Sequence, residues 1–98
     1  MTRFEELDPL IHAPIRLAIL TILISVKEAD FTYLKEAANT SDGNLSTHLT
    51  KLEEAGYIQI EKKFVAKKPK TTCMIATKGR EAYLKYIESL KSYLGSNN

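Results

Sequence analysis

Cysteine occurs once in these 98 residues, histidine twice, proline three times and glycine four times, and each scarcity closes off a class of protein. A lone thiol, Cys73, cannot form an intramolecular disulfide, and small secreted domains usually depend on such cross-links, so a reducing cytoplasm is the expected setting. Little glycine and proline beside 44% apolar residues excludes a collagen-like or disordered chain. Long apolar runs are missing as well. Ile15 to Val26 is broken by Arg16, Thr21 and Ser25 and falls short of the roughly 20 residues that a bilayer span requires. The residues before it carry Glu5, Glu6 and Asp8 against Arg3, unlike the positive start of a signal peptide, so neither export nor a membrane partner is expected. Two distant histidines and one cysteine supply no metal-ligand set at short spacing and no grouping of nucleophile, base and orienting residue. With no glycine-rich phosphate loop either, the sequence calls for no enzymatic activity, metal or cofactor.

What is present is enough for one domain over residues 1–98, because a chain of this size buries roughly two-thirds of its unfolded surface. Net charge is only +2, but its distribution is uneven. Residues 1–60 carry a net −4, whereas residues 61–80 hold Lys62, Lys63, Lys67, Lys68, Lys70, Lys78 and Arg80 against Glu61 alone. Half of the positive charge thus lies in a fifth of the chain, and such a concentration creates a local field that suits an anionic partner.

Apolar periodicity divides the chain into helices and a hairpin. A first core helix is expected over residues 14–26, opening on Pro14 and apolar nearly all round, so that one side, with Ile15, Ile19 and Ile22, is left for a partner subunit. Lys27 to Asp30 reads as a polar break. A helix-turn-helix is expected over residues 31–55: a short amphipathic helix, a cap-rich turn at Asn39-Thr40-Ser41-Asp42, and a second helix with Leu45, Leu49 and Leu52 inward, closed by Gly56. Residues 57–75 read as two strands joined by Ala66 to Lys70, a connection longer than a tight turn. A final helix over residues 77–94 carries Tyr83, Ile87, Leu90 and Leu94 on one stripe, more apolar surface than a small domain covers by itself, and Gly95 to Asn98 reads as a fraying end.

Two short helices with a polar turn, followed directly by a basic hairpin, is the order of a winged helix-turn-helix. The segments Gly43-Asn44-Leu45-Ser46-Thr47-His48-Leu49, Leu52-Glu53-Glu54-Ala55-Gly56-Tyr57-Ile58, Lys68-Pro69-Lys70-Thr71 and Lys78-Gly79-Arg80-Glu81-Ala82 resemble small winged-helix transcriptional regulators related to the MarR and ArsR types. The similarity runs from Leu7-Asp8 to the last helix. It implies a mainly helical α+β fold with a two-stranded β-hairpin wing and a C-terminal dimerisation helix, and a homodimer that binds double-stranded DNA. Two positions depart from the pattern: Ala66 stands where a wing glycine is common, and Ala76 where a threonine usually caps the last helix, leaving Thr77 to cap it one residue later.

With the leucine stripe inward, Asn44, Thr47, Thr50 and Lys51 fall on the outer side of the second helix and suit the major groove. Asn pairs bidentately with adenine, Thr offers a hydroxyl and a methyl, and Lys reaches guanine or a phosphate. Ser46, near the helix start, suits a phosphate. Lys67, Lys68 and Lys70 on the wing would follow the backbone or the minor groove. The alternative is a winged helix that serves only as a protein-interaction module without DNA binding. Cys73 reads as a strand thiol, packed or exposed, in preference to a redox switch, and His48, near the edge of the second helix, reads equally as a DNA contact or as a partly packed surface histidine.

Overall fold

A computed structural model describes residues 3–95; the end 96–98, expected to fray, lies outside the described residues. Among them, Pro14–Leu23 forms α1, Ala29–Asp30 β1, Phe31–Ala37 α2, Asp42–Glu54 α3, Ile58–Val65 β2, Lys68–Ile75 β3 and Thr77–Leu94 α4. The four helices and a three-stranded antiparallel sheet in the order β1-β3-β2 make a mainly helical winged helix.

α1 opens on Pro14 and ends at Leu23, short of the expected Val26. The Ile24 N–H still reaches the Leu20 carbonyl, but Ser25 turns both its N–H and its hydroxyl onto the Ile22 carbonyl. The Ser25 N–H thus takes an i−3 carbonyl, and the helix ends in this tighter turn. The supposed polar break contains β1, whose Ala29 and Asp30 pair with Cys73 and Thr72, so the sheet has a third strand beyond the expected hairpin. Two residues are too few for alternation to show in a sequence.

Caps fix the helix-turn-helix. The Tyr33 N–H donates to the Asp30 carboxylate and the Asn44 N–H to the Ser41 hydroxyl, each satisfying a donor that a helix start leaves free. Both C-termini close with paired backbone bonds around a left-handed residue, Asn39 after α2 (φ 53°) and Gly56 after α3 (φ 80°). Leu34, Leu45 and Leu52 are fully buried with Ile11, Ile19, Leu20, Leu23 and Cys73, so the core lies between α1, the helix pair and the sheet.

The hairpin connection is tighter than expected. β2 and β3 pair as far as Val65 with Lys68, leaving only Ala66 (φ 52°) and Lys67 (φ 66°) in the turn. Two successive left-handed residues match the twist of the flanking strands, a turn usually built from Asn-Gly. The last helix starts at Thr77 with Ala76 in the capping position, so Thr77 sits inside the first turn and does not take over the cap. Its first turn is instead pinned to the chain after α3: the Ala76 N–H donates to the Tyr57 carbonyl, and a Cβ at Gly79 would collide with that same oxygen.

A left-handed conformation costs an L-residue roughly 1–2 kcal/mol. Replacing Ala66-Lys67 by Asn-Gly is therefore expected to stabilise the chain by about 1 kcal/mol in urea unfolding. An unchanged midpoint would show that the turn holds no strain.

Candidate nucleic-acid interface

α3 separates its residues cleanly. Leu45, Leu49 and Leu52 are buried, while Asn44, Ser46, Thr47, Thr50 and Lys51 are all exposed on the other side. Ser46, Thr47, Thr50, Lys51 and Glu54 border a shallow concavity of about 400 Å³ along that face. The Thr47 hydroxyl donates to the Gly43 carbonyl at 3.0 Å. Its proton is thereby committed, and the oxygen can offer only lone pairs to an outside donor.

Strand alternation sets which lysines share this side. Ile58 and Ile60 face inward, so Lys62 and Phe64 stand on the same face of β2, and Thr71 and Pro69 opposite them on β3. Lys62, Ile60 and Thr71 line a groove of about 210 Å³ with Ser46, Leu49 and Thr50 of α3 and Phe31 of α2. Lys62 thus borders α3, although the expected site does not include it; the signal was the period of two running on from Ile58 and Ile60. Lys63 points to the opposite face, within 3.5 Å of Glu61 and 4.0 Å of Glu28. Lys67, Lys68 and Lys70 are exposed on the wing, with Lys70 3.9 Å from Asp30.

α3 is tied to α1 through an arginine that the sequence presents only as an interruption. Arg16 donates through Nε to the Leu10 carbonyl at 2.6 Å and through Nη1 to His48 Nδ1 at 2.9 Å. Because a guanidinium only donates, Nδ1 is the acceptor and the imidazole proton sits on Nε2. Burial, then the charges of Arg16 and Lys51, lower the His48 pKa. At the other end of α3, Lys35 meets Asp42 at 3.0 Å. Cys73 is fully covered, and burial followed by the charge of Glu53 pushes its thiol up to about 11.

Of the residues expected at a subunit interface, Ile19 is entirely covered within its own chain and has no surface left for a partner. Ile15, Ile22, Tyr83, Ile87 and Leu90 are half-buried against the core, and Leu94 is 68% exposed. The Tyr83 and Thr21 hydroxyls lie 3.0 Å apart and join α4 to α1. Tyr93 donates to the Glu5 carbonyl and stacks against Phe4, its ring centroid 4.9 Å away, so the N-terminal segment lies along the end of α4.

Residues 15–94 match the family model of the winged helix DNA-binding domain. An uncharacterized protein of Methanocaldococcus jannaschii is 41% identical over 76 residues, which cover 78% of this chain and 83% of that protein. The solved structure of the transcriptional regulator homologue protein from Pyrococcus horikoshii OT3 superposes with a TM-score of 0.81 at 28% identity, covering 88% of this chain and 85% of the other. An ArsR family transcriptional regulator shares the backbone at TM-score 0.62 and 20% identity, over 91% of this chain and 87% of its own. So does a protein from Porphyromonas gingivalis W83 assigned to the MarR family, at TM-score 0.61 and 17% identity, over 96% and 99%. These last two likenesses concern the fold alone.

The Arg16–His48 contact makes a pH prediction. A histidine whose folded pKa is lowered contributes stability above the unfolded value of about 6.5 and loses it as pH falls through the folded value. Wild-type stability should therefore fall more steeply below about pH 6.5 than that of His48→Gln, measured by urea unfolding in a pH series. Parallel curves would remove His48 from the linkage.

Proposed function

This chain belongs to the winged helix DNA-binding family, and we propose that it acts in the cytoplasm as a homodimeric transcriptional regulator that binds double-stranded DNA sequence-specifically. One observation carries the reading: the exposed polar face of α3 continues, through the groove shared by Ser46, Thr50 and Lys62, onto the lysine-rich hairpin. A helix fits the major groove of B-DNA, and a neighbouring cationic ribbon can then follow the phosphates or the adjacent minor groove.

The roles follow from side-chain chemistry. Asn44 reads adenine by a bidentate pair, and Lys51 reaches guanine or a phosphate. Thr47, its proton held by Gly43, accepts from the amino group of adenine or cytosine and sets its methyl against thymine. Thr50 borders the same concavity. Ser46, turned toward the hairpin, contacts a phosphate together with Lys62, while Lys67, Lys68 and Lys70 supply affinity without reading sequence.

Dimerisation is supported by apolar surface left open at the far end of α4. Leu94 is 68% exposed and Phe4 66%, with Tyr93 about half exposed beside them, and Leu84, midway along α4, is about half exposed as well. Pairing this end with a second copy, flanked by Ile15, Ile22, Tyr83, Ile87 and Leu90, covers it and leaves both α3 helices free. A two-fold dimer then offers its reading helices to half-sites roughly 34 Å apart.

The first test is fluorescence anisotropy with a random duplex pool across a salt series. Affinity should fall steeply as salt rises, as counterion release requires; a folded chain that binds no duplex at low salt would favour the interaction-module alternative. On duplexes enriched from that pool, Thr47→Ala should cost about 1 kcal/mol on preferred sites only. Lys68→Ala should weaken all duplexes alike and reduce the salt slope by about one. Leu94→Glu should yield a monomer by light scattering and lower operator affinity, and an unchanged mass would take α4 out of the interface.

A further inference from the structure

The wing carries an apolar tip that neither solubility nor phosphate binding explains. Phe64 is 77% exposed and stands directly opposite Pro69, the two side chains sharing the face of the hairpin that borders α3. A cross-strand partner could account for an aromatic on a hairpin, but Pro69 leaves most of the Phe64 ring in water. The side chain projects four residues, roughly 13 Å, beyond half-buried Ile60 along a strand.

Its surroundings select the partner. Lys62 shares the Phe64 face, Lys67 stands in the turn and Lys68, paired with Val65, lies on the reverse face of the ribbon, and among the described residues no salt bridge engages these three, whereas Lys63 and Lys70 lean toward carboxylates. An apolar point on a narrow ribbon, with a lysine beside it, one at the turn and one on the reverse face, suits a polyanion with an apolar interior. Duplex DNA is one: its phosphates match the lysines, and its base steps open to an apolar side chain entering the minor groove. Lys62 makes the face continuous with the groove along α3, so a duplex seated on that helix meets the tip one groove away.

We propose that Phe64, backed by Pro69, is a wedge that enters the minor groove beside the major-groove site and partly unstacks a base step there. This rests on the duplex-binding reading above. Phenylalanine and proline both serve as such wedges, and the cost of unstacking is lowest at flexible pyrimidine–purine steps. The wedge thereby adds a preference for such a step at a fixed distance from the bases read by α3, without a hydrogen bond to any base. The lysines hold the wing to the backbone, and the aromatic ring reads deformability.

The test uses a duplex enriched by the wild-type chain from a random pool, with 2-aminopurine placed at successive positions flanking the central site. Wild-type binding should raise the fluorescence at one step on each side of the dyad, at equal distances from it, as that base unstacks. Phe64→Ala should abolish the rise and weaken binding about tenfold, with the salt slope unchanged because no charge is removed. Phe64→Leu should retain part of both effects, and Val65→Ala, on the opposite face of the strand, should stay within about twofold of wild type. Amide exchange of residues 58–75 in each variant checks that the hairpin is intact. Tight, salt-dependent binding by the wild type with Phe64→Ala equal to it would overturn the wedge and leave duplex binding standing. Absence of any duplex binding would overturn both. Sedimentation with phosphatidylglycerol vesicles that depends on Phe64, with duplex affinity unaffected, would overturn the wedge in favour of a lipid surface.

Discussion

Tyr57 is the point on which the rest of the molecule turns. Its N–H closes α3 on the Leu52 carbonyl, and its carbonyl receives the Ala76 N–H at the entry to α4. Its ring lies under the Lys78 ammonium, 5.7 Å from the centroid, and its hydroxyl donates to Asp8 at 2.6 Å. Burial and the Asp8 carboxylate raise its pKa to about 12, so the hydroxyl keeps its proton at any physiological pH. The N-terminal segment, the end of α3, the base of the hairpin and the start of α4 therefore meet at one residue. Gly79 makes this possible, because only a residue without Cβ lets α4 approach the Tyr57 backbone so closely.

From that junction the two working surfaces diverge. α3 is held at its start by the Ser41 cap and the Lys35–Asp42 pair, along its length by Arg16, and at its end by the backbone bonds around Gly56. An element fixed at three points can present side chains at set positions, as sequence reading requires. The hairpin is the opposite case. Every residue from Glu61 to Lys70 is exposed, so the wing depends on its own ladder and turn for shape. The helix is thus held by its neighbours, and the extended ribbon by its own pairing alone.

Much of this could be seen in the residues. The leucine spacing of α3 marks the inner face and, by subtraction, the outer one, because a helix repeats every 3.6 residues whatever packs against it. The lysine run marks the wing for a similar reason: burying so many charges is not an option, so they must face water or a polyanion. What escaped reading was context. β1 is two residues long and exists only because β3 passes beside it. The turn at Ala66-Lys67 has neither Asn nor Gly, so its positive φ values have no local cause and are imposed by the ladder on either side. Arg16 looks like a flaw in an apolar helix until His48, 32 positions later, is seen to need a donor. Lys62 was one lysine among many until alternation set it on the same side as Ile60.

The short β1–β3 contact has a consequence for how the chain folds. Ala29 and Asp30 precede the helix-turn-helix, yet their partners, Cys73 and Thr72, arrive more than forty residues later, after the whole hairpin. Pairing at such separation cannot reward the chain until the loop between has been closed, so it comes late. Asp30 is also the cap of α2, so the residue that starts the helix-turn-helix waits on the strand that finishes the wing. During synthesis α2 and α3 would emerge well before β3, so until that strand arrives the helix pair has its local caps at Asp30 and Ser41 but not the sheet beside it.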